Sequence, residues 1–320
     1  MKPLITKDHV KIFKGKYYLP WFKKQEVVHF QIPLKVIVLD LDETLGSFAD
    51  LHILWSGIKL IWPSCSSFYD LCELYPEFLR YGILTILEYL YDKKYKQECS
   101  KIIIYTNNQC SPEWVSLISD YLETKVKSTR KDIAKLQLFD KPICAFKIKK
   151  KIVETSRTCH RKTLDDFFSC SLVTKDVDIC FVDDVEYPAM KSTKVYYICP
   201  KPYLHSLSKH DIIKRMIGAS WIKHKILLNE SFWKHWFKNH QQKVLSTTTT
   251  TTTTIPNVEI DVQVTEKIIN HLREFIKFGK IPSLKKTTRT KRKKGVRQTK
   301  KWSLVSQKIE FIKIISPNYI

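Results

Sequence analysis

Glycine is scarce in this chain of 320 residues, in which it occurs only seven times. Neither G-x-G-x-x-G nor G-x-x-x-x-G-K-[ST] is found in the sequence. The glycine-rich loops that hold a dinucleotide or a nucleoside triphosphate are therefore missing. These absences argue against a dinucleotide-dependent enzyme and against a P-loop enzyme.

Long uncharged apolar runs are also lacking. The most apolar stretch, residues 51–69, contains Lys59 and Pro63, so it falls short of the roughly 18 uncharged residues that a spanning helix needs. Residues 1–20 lack the apolar core of a signal peptide. We therefore predict an intracellular protein, cytoplasmic or nuclear, without a membrane partner. The composition, rich in Lys, Ile and Tyr, is typical of an A+T-rich genome such as that of a large DNA virus.

The nine cysteines include no C-x-x-C pair. Their number is odd and several lie in apolar runs, such as Cys180 between Ile179 and Phe181. This pattern predicts buried free thiols in a reducing compartment. A zinc site is the weaker alternative, because the paired ligand spacing of such sites is absent.

Positive charge is abundant and unevenly distributed. The net charge is +23, and residues 201–320 hold 25 of the 55 Lys and Arg but only seven of the 32 acidic residues. Within them, residues 285–301 contain ten Lys and Arg and no acid. This basic region predicts a phosphorylated protein or a nucleic acid as partner. For the tract itself, a solvated tail or an import signal is the more common explanation. The sequence does not indicate an oligomeric state.

Tryptophan accompanies lysine in the basic region. Trp221, Trp233 and Trp236 could stack on bases. Their helical spacing is more typical of a packed core.

Alternating strand and helix patterns predict the fold class. Apolar, β-branched runs predict strands at 36–39, 101–105, 179–182 and 195–198, with a further possible strand at 144–146. Apolar residues at helical spacing and capping residues predict helices at 79–91, from 112 to about 123, from 163, and within 210–245 and 257–280. Together they predict an α/β protein, a three-layer, Rossmann-like parallel sheet with a basic, mostly helical C-terminal extension.

Composition also predicts the domain boundaries. We expect an N-terminal extension over 1–34 and a sheet domain over 35–205. An amphipathic helical segment over 206–246 is followed by a linker over 247–256, which contains eight consecutive Thr. The remaining residues, 257–320, form a basic C-terminal region that we expect to be partly disordered.

Polar side chains follow three of the predicted strands. The residues concerned are Asp40, Asp42, Thr106, Asn107, Asp183 and Asp184. Since ligands bind at the carboxyl ends of parallel strands, we expect these side chains to converge. Carboxylates brought together repel one another, and Mg²⁺ suits an all-oxygen site of this kind. Taken alone, Asp40 and Asp42 could equally be turn residues.

The stretch from Val36 to Leu45, V-I-V-L-D-L-D-E-T-L, resembles the first motif of the haloacid dehalogenase superfamily. It is most similar to the branch that contains the phosphatases of the RNA polymerase II carboxy-terminal domain. The resemblance spans about residues 35–200. It implies a Mg²⁺-dependent phosphatase that forms an aspartyl-phosphate and acts on phosphoserine or phosphothreonine segments of proteins.

The resemblance also implies roles for individual residues. Asp40 is the expected nucleophile, and Asp42 the general acid and base whose carbonyl faces the metal. Thr106, with Asn107 beside it as a substrate-binding residue, is expected to hold a phosphoryl oxygen. Lys162 is expected to neutralise phosphoryl charge. Asp183 and Asp184 complete the expected metal site with Asp40 and Asp42.

Two features depart from the family pattern. Leu79-Arg80-Tyr81-Gly82 stands where the family often has L-R-P-G. The segment before Lys162 is long and basic, which makes its lysines rivals for the third motif: Lys147, Lys149, Lys150 and Lys151. Two other functions stay open, a phosphatase acting on nucleic-acid ends and a catalytically silent binding protein that uses its basic tail.

Overall fold

The structure is a computed structural model that describes residues 34–133, 135–245 and 257–279, and three short strands before them. The strands are β1 (Ile5–Lys7), β2 (Val10–Phe13), β3 (Lys16–Tyr18), β4 (Leu34–Leu39), β5 (Lys101–Tyr105), β6 (Asp140–Ile143), β7 (Lys147–Ile148), β8 (Lys151–Ile152), β9 (Val177–Val182) and β10 (Val195–Ile198). The helices are α1 (Ala49–Ile61), α2 (Phe68–Leu74), α3 (Ile83–Tyr95), α4 (Pro112–Thr129), α5 (Leu164–Ser171), α6 (Lys209–Ile217), α7 (Glu230–Leu245) and α8 (Val258–Phe278).

A five-stranded parallel sheet organises the fold. Its strand order is β10-β9-β4-β5-β6, and each neighbouring pair is parallel. The central strand β4 and its neighbour β9 are apolar apart from Lys35 and Asp178, as is typical of strands in a parallel sheet with helices on both faces. The predicted α/β class with a parallel, Rossmann-like sheet is confirmed. Strands β1 to β3 form a separate antiparallel sheet in the predicted N-terminal extension.

Side chains alternate between the two faces of the sheet. On one face, Ile37 and Leu39 of β4 belong to the larger apolar cluster, which includes residues of every helix except α5. On the other face, Val36 and Val38 pack in a smaller cluster with Phe167 of α5. Each cluster fills the space between the sheet and the helices on one of its faces. Because all five strands are parallel, their carboxyl ends lie along one edge of the sheet.

Several predicted elements need correction. The strand predicted at 144–146 is wrong, because β6 ends at Ile143 and the carbonyl of Cys144 accepts a hydrogen bond from Arg157 instead. The helix predicted over 79–91 begins only at Ile83, because Gly82 has a φ of 71° and ends the preceding turn. The segment 210–245 is two helices, because α6 ends at Ile217 with Gly218 as its C-cap and α7 begins only at Glu230.

The segments after the sheet pack onto the same core. Trp233 of α7 is buried and its indole N–H donates to the carbonyl of Leu227 at 2.8 Å. The indole N–H of Trp236 donates to the carbonyl of Ile53. Trp221 also packs against the larger apolar cluster, so all three rings favour the predicted packing role over stacking on bases. Helix α8 buries Leu272 and Phe275 against the sheet domain, so residues 257–279 extend that domain.

Other predictions concern cysteine, membrane association and the tail. All nine cysteines are free, as predicted, and five of them are buried, whereas Cys199 is exposed. In the described part of the chain no helix combines the length and the apolar character that crossing a bilayer requires. The threonine linker and the basic tract 285–301 lie outside the described residues.

Candidate active site at the carboxyl edge of the sheet

Asp40 lies where β4 ends, and a tight turn follows it. The amide of Asp40 donates to the carbonyl of Val182 on the neighbouring strand at 2.9 Å. Glu43 takes a left-handed φ of 56°, and its amide donates to the carbonyl of Gly46. A Cβ at Gly46 would lie 2.5 Å from the carbonyl oxygen of Phe78. Only glycine fits that position, so the turn and the place of Asp40 are fixed together.

A buried arginine holds this turn from behind. Arg80, 1% exposed, donates to the carbonyls of Thr44 and Glu43 at 2.6 Å each and to that of Lys201 at 2.9 Å. The guanidinium thus satisfies carbonyl groups that burial would otherwise leave without donors. Arg80 belongs to the segment Leu79-Arg80-Tyr81-Gly82, which departs from the family pattern in the sequence. Through Arg80 this segment supports the site.

We expect Arg80→Met to lower the free energy of unfolding by about 3 kcal/mol, because three carbonyl acceptors lose a charged donor. Arg215→Met is the matched control. Arg215 pairs with Glu77 near the surface at 2.7 Å, and such pairs contribute only about 0–1 kcal/mol. Urea denaturation measures both changes. Equal losses in the two variants would contradict the role given to Arg80.

Lys162 bridges two carboxylates at the centre of the site. Its ammonium donates to Oδ1 of Asp40 and, at 2.6 Å, to Oδ2 of Asp183. All three side chains are at most 10% exposed. Burial alone would lower the pKa of Lys162, but the two carboxylates hold it above its usual value. Lys162 is therefore charged, and the rival lysines of residues 147–151 form no such contact in the described structure.

Three carboxylates converge on one small volume. Oxygen atoms of Asp40, Asp183 and Asp184 lie within 4.8 Å of one another. Burial, and then the charge of Asp40, raise the pKa of Asp184 to about 6. The single positive charge of Lys162 does not neutralise three carboxylates. The remaining negative charge of the cluster favours binding of a cation. An oxygen-only donor set of this kind fits Mg²⁺.

Thr44 fixes the orientation of Asp184. Its hydroxyl donates to Oδ1 of Asp184 at 3.0 Å and accepts from the backbone amide of the same residue at 3.1 Å. The carboxylate is thereby held beside the strand end rather than turned to solvent. Thr44 is the last residue of the D-x-D-x-T pattern, and the sequence alone assigned it no role.

The carboxylate of Asp42 lies apart from the three that cluster. It accepts a hydrogen bond of 2.8 Å from the amide group of Asn108. Burial, opposed by this hydrogen bond and reinforced by the charge of Asp40, raises the pKa of Asp42 to about 7. A carboxyl group with such a pKa can both give and take a proton near neutral pH. Asn108 was not predicted, although it directly follows Thr106 and Asn107.

Thr106 and Asn107 follow β5 at the same edge. Strands β4 and β5 pair at Leu39 and Ile104, so their ends lie side by side. The Thr106 hydroxyl accepts from the amide of Asn108 at 3.0 Å. The side chain of Asn107 donates to the Tyr187 hydroxyl at 3.1 Å. Both predicted residues therefore lie at the carboxyl edge of the sheet with the Asp cluster.

A second buried arginine positions this segment and was missed in the sequence. Arg157, 2% exposed, donates to the carbonyls of Thr106 and Cys144 at 3.2 and 2.9 Å. It also donates to the side-chain oxygen of Asn107 at 2.8 Å. Its guanidinium stacks 4.9 Å from the ring of Tyr105. Arg157 thus ties the end of β5 to the loop that follows β6.

Comparison with known proteins does not add a family assignment. No protein-family model, no curated protein and no solved structure matches this chain. The resemblance to the haloacid dehalogenase superfamily stays a prediction from the motif residues.

Proposed function

We propose that this protein is a Mg²⁺-dependent phosphatase that works through Asp40 and acts on phosphoserine or phosphothreonine segments of proteins. The observation that carries the proposal is the bridge from Lys162 to Asp40 and Asp183. It places a charged lysine on the expected nucleophile at the carboxyl edge of a parallel sheet. A nucleophile, a countercharge and an acid with a raised pKa are the groups that phosphoryl transfer requires.

Asp40 would attack phosphorus. Its Oδ1 is engaged by Lys162, and among the described residues no donor reaches its Oδ2, which is therefore the attacking atom. A bond forms between Oδ2 and phosphorus while the bond from phosphorus to the leaving oxygen breaks. Lys162 and the Thr106 hydroxyl stabilise the negative charge of the transferring group.

Asp42 would serve first as the general acid and then as the general base. In its protonated form it gives the proton to the leaving serine or threonine oxygen. It then takes a proton from water, which attacks the phosphorus of the aspartyl-phosphate and releases inorganic phosphate and free Asp40. The hydrogen bond from Asn108 keeps the carboxyl group of Asp42 in one orientation for both steps.

Asp40, Asp183 and Asp184 are the side chains that would hold Mg²⁺. When bound, the ion supplies positive charge that offsets the charge of the phosphoryl group. The hydrogen bonds of Thr44 support this use, because they hold Asp184 toward the cluster. The carbonyl of Asp42, given to the metal in the sequence interpretation, remains part of this proposal.

The test is metal-dependent hydrolysis of p-nitrophenyl phosphate by the full chain. We expect turnover with Mg²⁺, none with EDTA, and recovery when Mg²⁺ is restored. Asp184→Asn should raise the Mg²⁺ concentration for half-maximal turnover at least about tenfold, since even residues outside the ligand shell contribute about 10–100-fold to affinity. Asp176→Asn is the matched control, because its side chain is 97% exposed and it precedes β9 at the opposite edge of the sheet. Turnover that is unaffected by EDTA would refute the proposal.

A further inference from the structure

A basic hairpin follows β6, in the connection that leads to Lys162. Strands β7 and β8 pair antiparallel with Lys147 opposite Ile152 and Ile148 opposite Lys151. The loop between them is therefore two residues long, Lys149 and Lys150. Four of the six residues from 147 to 152 are lysines and none is acidic.

The turn of this hairpin contains residues that its backbone does not favour. Lys149 and Lys150 have φ values of 48° and 67°, which is the pattern of a type I′ turn. Asn and Gly are the usual residues at these two positions, because side chains with a Cβ are strained there. Two adjacent lysines in strained backbone indicate that their charge at the tip serves a purpose other than folding.

The hairpin lysines are available to a partner. Lys149, Lys150 and Lys151 are exposed. Over the described residues, no carboxylate forms an ion pair with any of the four. The nearest acid along the chain, Glu154, follows the hairpin and is half-buried.

The hairpin is anchored at the catalytic edge of the sheet. Its base is closed by a hydrogen bond of 2.9 Å from the amide of Val153 to the carbonyl of Phe146. Arg157 then ties the same connection to Thr106. The end of β6, from which the hairpin follows, lies beside the end of β5, since the amide of Thr106 donates to the carbonyl of Ile143 at 3.0 Å.

We infer that the hairpin 147–152 docks the acidic flank of a peptide substrate beside the catalytic site, which deepens and rests on the proposed function. The partner is a peptide whose phosphorylated residue has glutamate, aspartate or a second phosphorylated residue nearby. The four lysines supply the complementary charge at the rim of the site, where charge selects partners more than it adds raw affinity.

The surface of the hairpin favours a peptide over a nucleic acid. Binding of single-stranded nucleic acid uses aromatic rings on which bases stack. The six hairpin residues include no aromatic side chain. Its one exposed apolar side chain is Ile152, 56% exposed, an aliphatic group that suits the side chains of a peptide.

The double variant Lys149→Asn/Lys150→Gly tests this inference without damaging the hairpin. Asn-Gly is the preferred pair for a type I′ turn, so the variant removes two charges while relieving backbone strain. Its melting temperature should equal or exceed that of the wild type. The control Lys96→Gln/Lys175→Gln removes two charges from exposed lysines that precede β5 and β9 at the opposite edge of the sheet.

Two measurements on the full chain are compared. The first is kcat/KM for one phosphoserine peptide flanked by glutamates and for the same peptide flanked by glutamines. The second is the affinity for the two unphosphorylated peptides, measured by fluorescence anisotropy. The basic tract 285–301 is present in all three proteins, so its contribution is common to them. Binding does not require turnover, and the second measurement therefore stands even if the proposed function fails.

We expect the wild type and the control to favour the glutamate-flanked peptide about five- to tenfold, since each rim charge contributes at most a few-fold. The hairpin variant should lose most of this preference in both measurements. An unchanged preference in the hairpin variant would overturn the inference. It would also be overturned if the variant lost affinity for a short single-stranded DNA while its preference among peptides stayed intact.

Discussion

Replacing Asp40 with Asn is expected to lower the turnover of p-nitrophenyl phosphate at least roughly a thousandfold, as loss of a covalent nucleophile does. The amide oxygen of Asn can still accept from Lys162, but it is a poor nucleophile toward phosphorus. The variant should remain folded. Asp40 shares its small volume with Asp183 and Asp184, so a neutral side chain lowers their repulsion, and the buried ammonium of Lys162 keeps its ion pair with Asp183.

A covalent intermediate provides a second measurement of the same prediction. Mass spectrometry of the wild type, quenched in acid during turnover, should find one added phosphoryl group on the peptide that contains Asp40. Asp40→Asn should carry none, while Asp176→Asn should behave as the wild type in both assays. If Asp40→Asn kept normal turnover as a folded protein, Asp40 could not be the nucleophile.

The fold and the members of the Asp cluster could be predicted because their signals are local. Four of the five strands of the parallel sheet contain apolar, β-branched runs, and residues 101–105 and 195–198 form strands with the predicted bounds. The fifth, β6, has the sequence D-K-P-I and lacks this signal. The polar residues that end the strands come together because parallel strands share an edge. Lys162 was chosen from the resemblance alone, which left four other lysines as rivals, and the structure places it directly before the N-cap Thr163 of α5.

The supports of the site could not be predicted in the same way. Arg80 and Arg157 bind mostly backbone carbonyls far along the chain, such as that of Thr106. Every residue has a backbone carbonyl, so the sequence does not show which one accepts the hydrogen bond. Asn108 has a side-chain partner, Asp42, but the pairing depends on how two loops fold over one another. The helix break at Gly218 is different, because glycine is a common local signal for a helix end and Gly218 is the C-cap of α6.

Replacement of the buried Lys162 is the second substitution for which we expect a large effect. We expect Lys162→Met to lower the free energy of unfolding by about 3–5 kcal/mol, the usual consequence of removing one partner from a buried ion pair. Asp40 and Asp183 would then face each other with no countercharge, at 7% and 1% exposure. Turnover should fall at least about a hundredfold, because the charge that stabilises the transferring phosphoryl group is lost.

A second variant separates the structural effect from the catalytic one. Lys162→Met/Asp183→Asn removes the repulsion and should recover most of the lost stability in urea denaturation, yet turnover should stay low because no ammonium meets the phosphoryl group. Lys96→Met is the control for loss of a lysine. Its ion pair with Asp92 lies at the surface, where the lysine is 53% exposed. Lys96→Met should therefore lower the free energy of unfolding by at most about 1 kcal/mol. Added Mg²⁺ should raise the melting temperature of Lys162→Met more than that of the wild type, since the ion supplies the missing charge. A double variant that recovered turnover together with stability would show that Lys162 serves the fold alone.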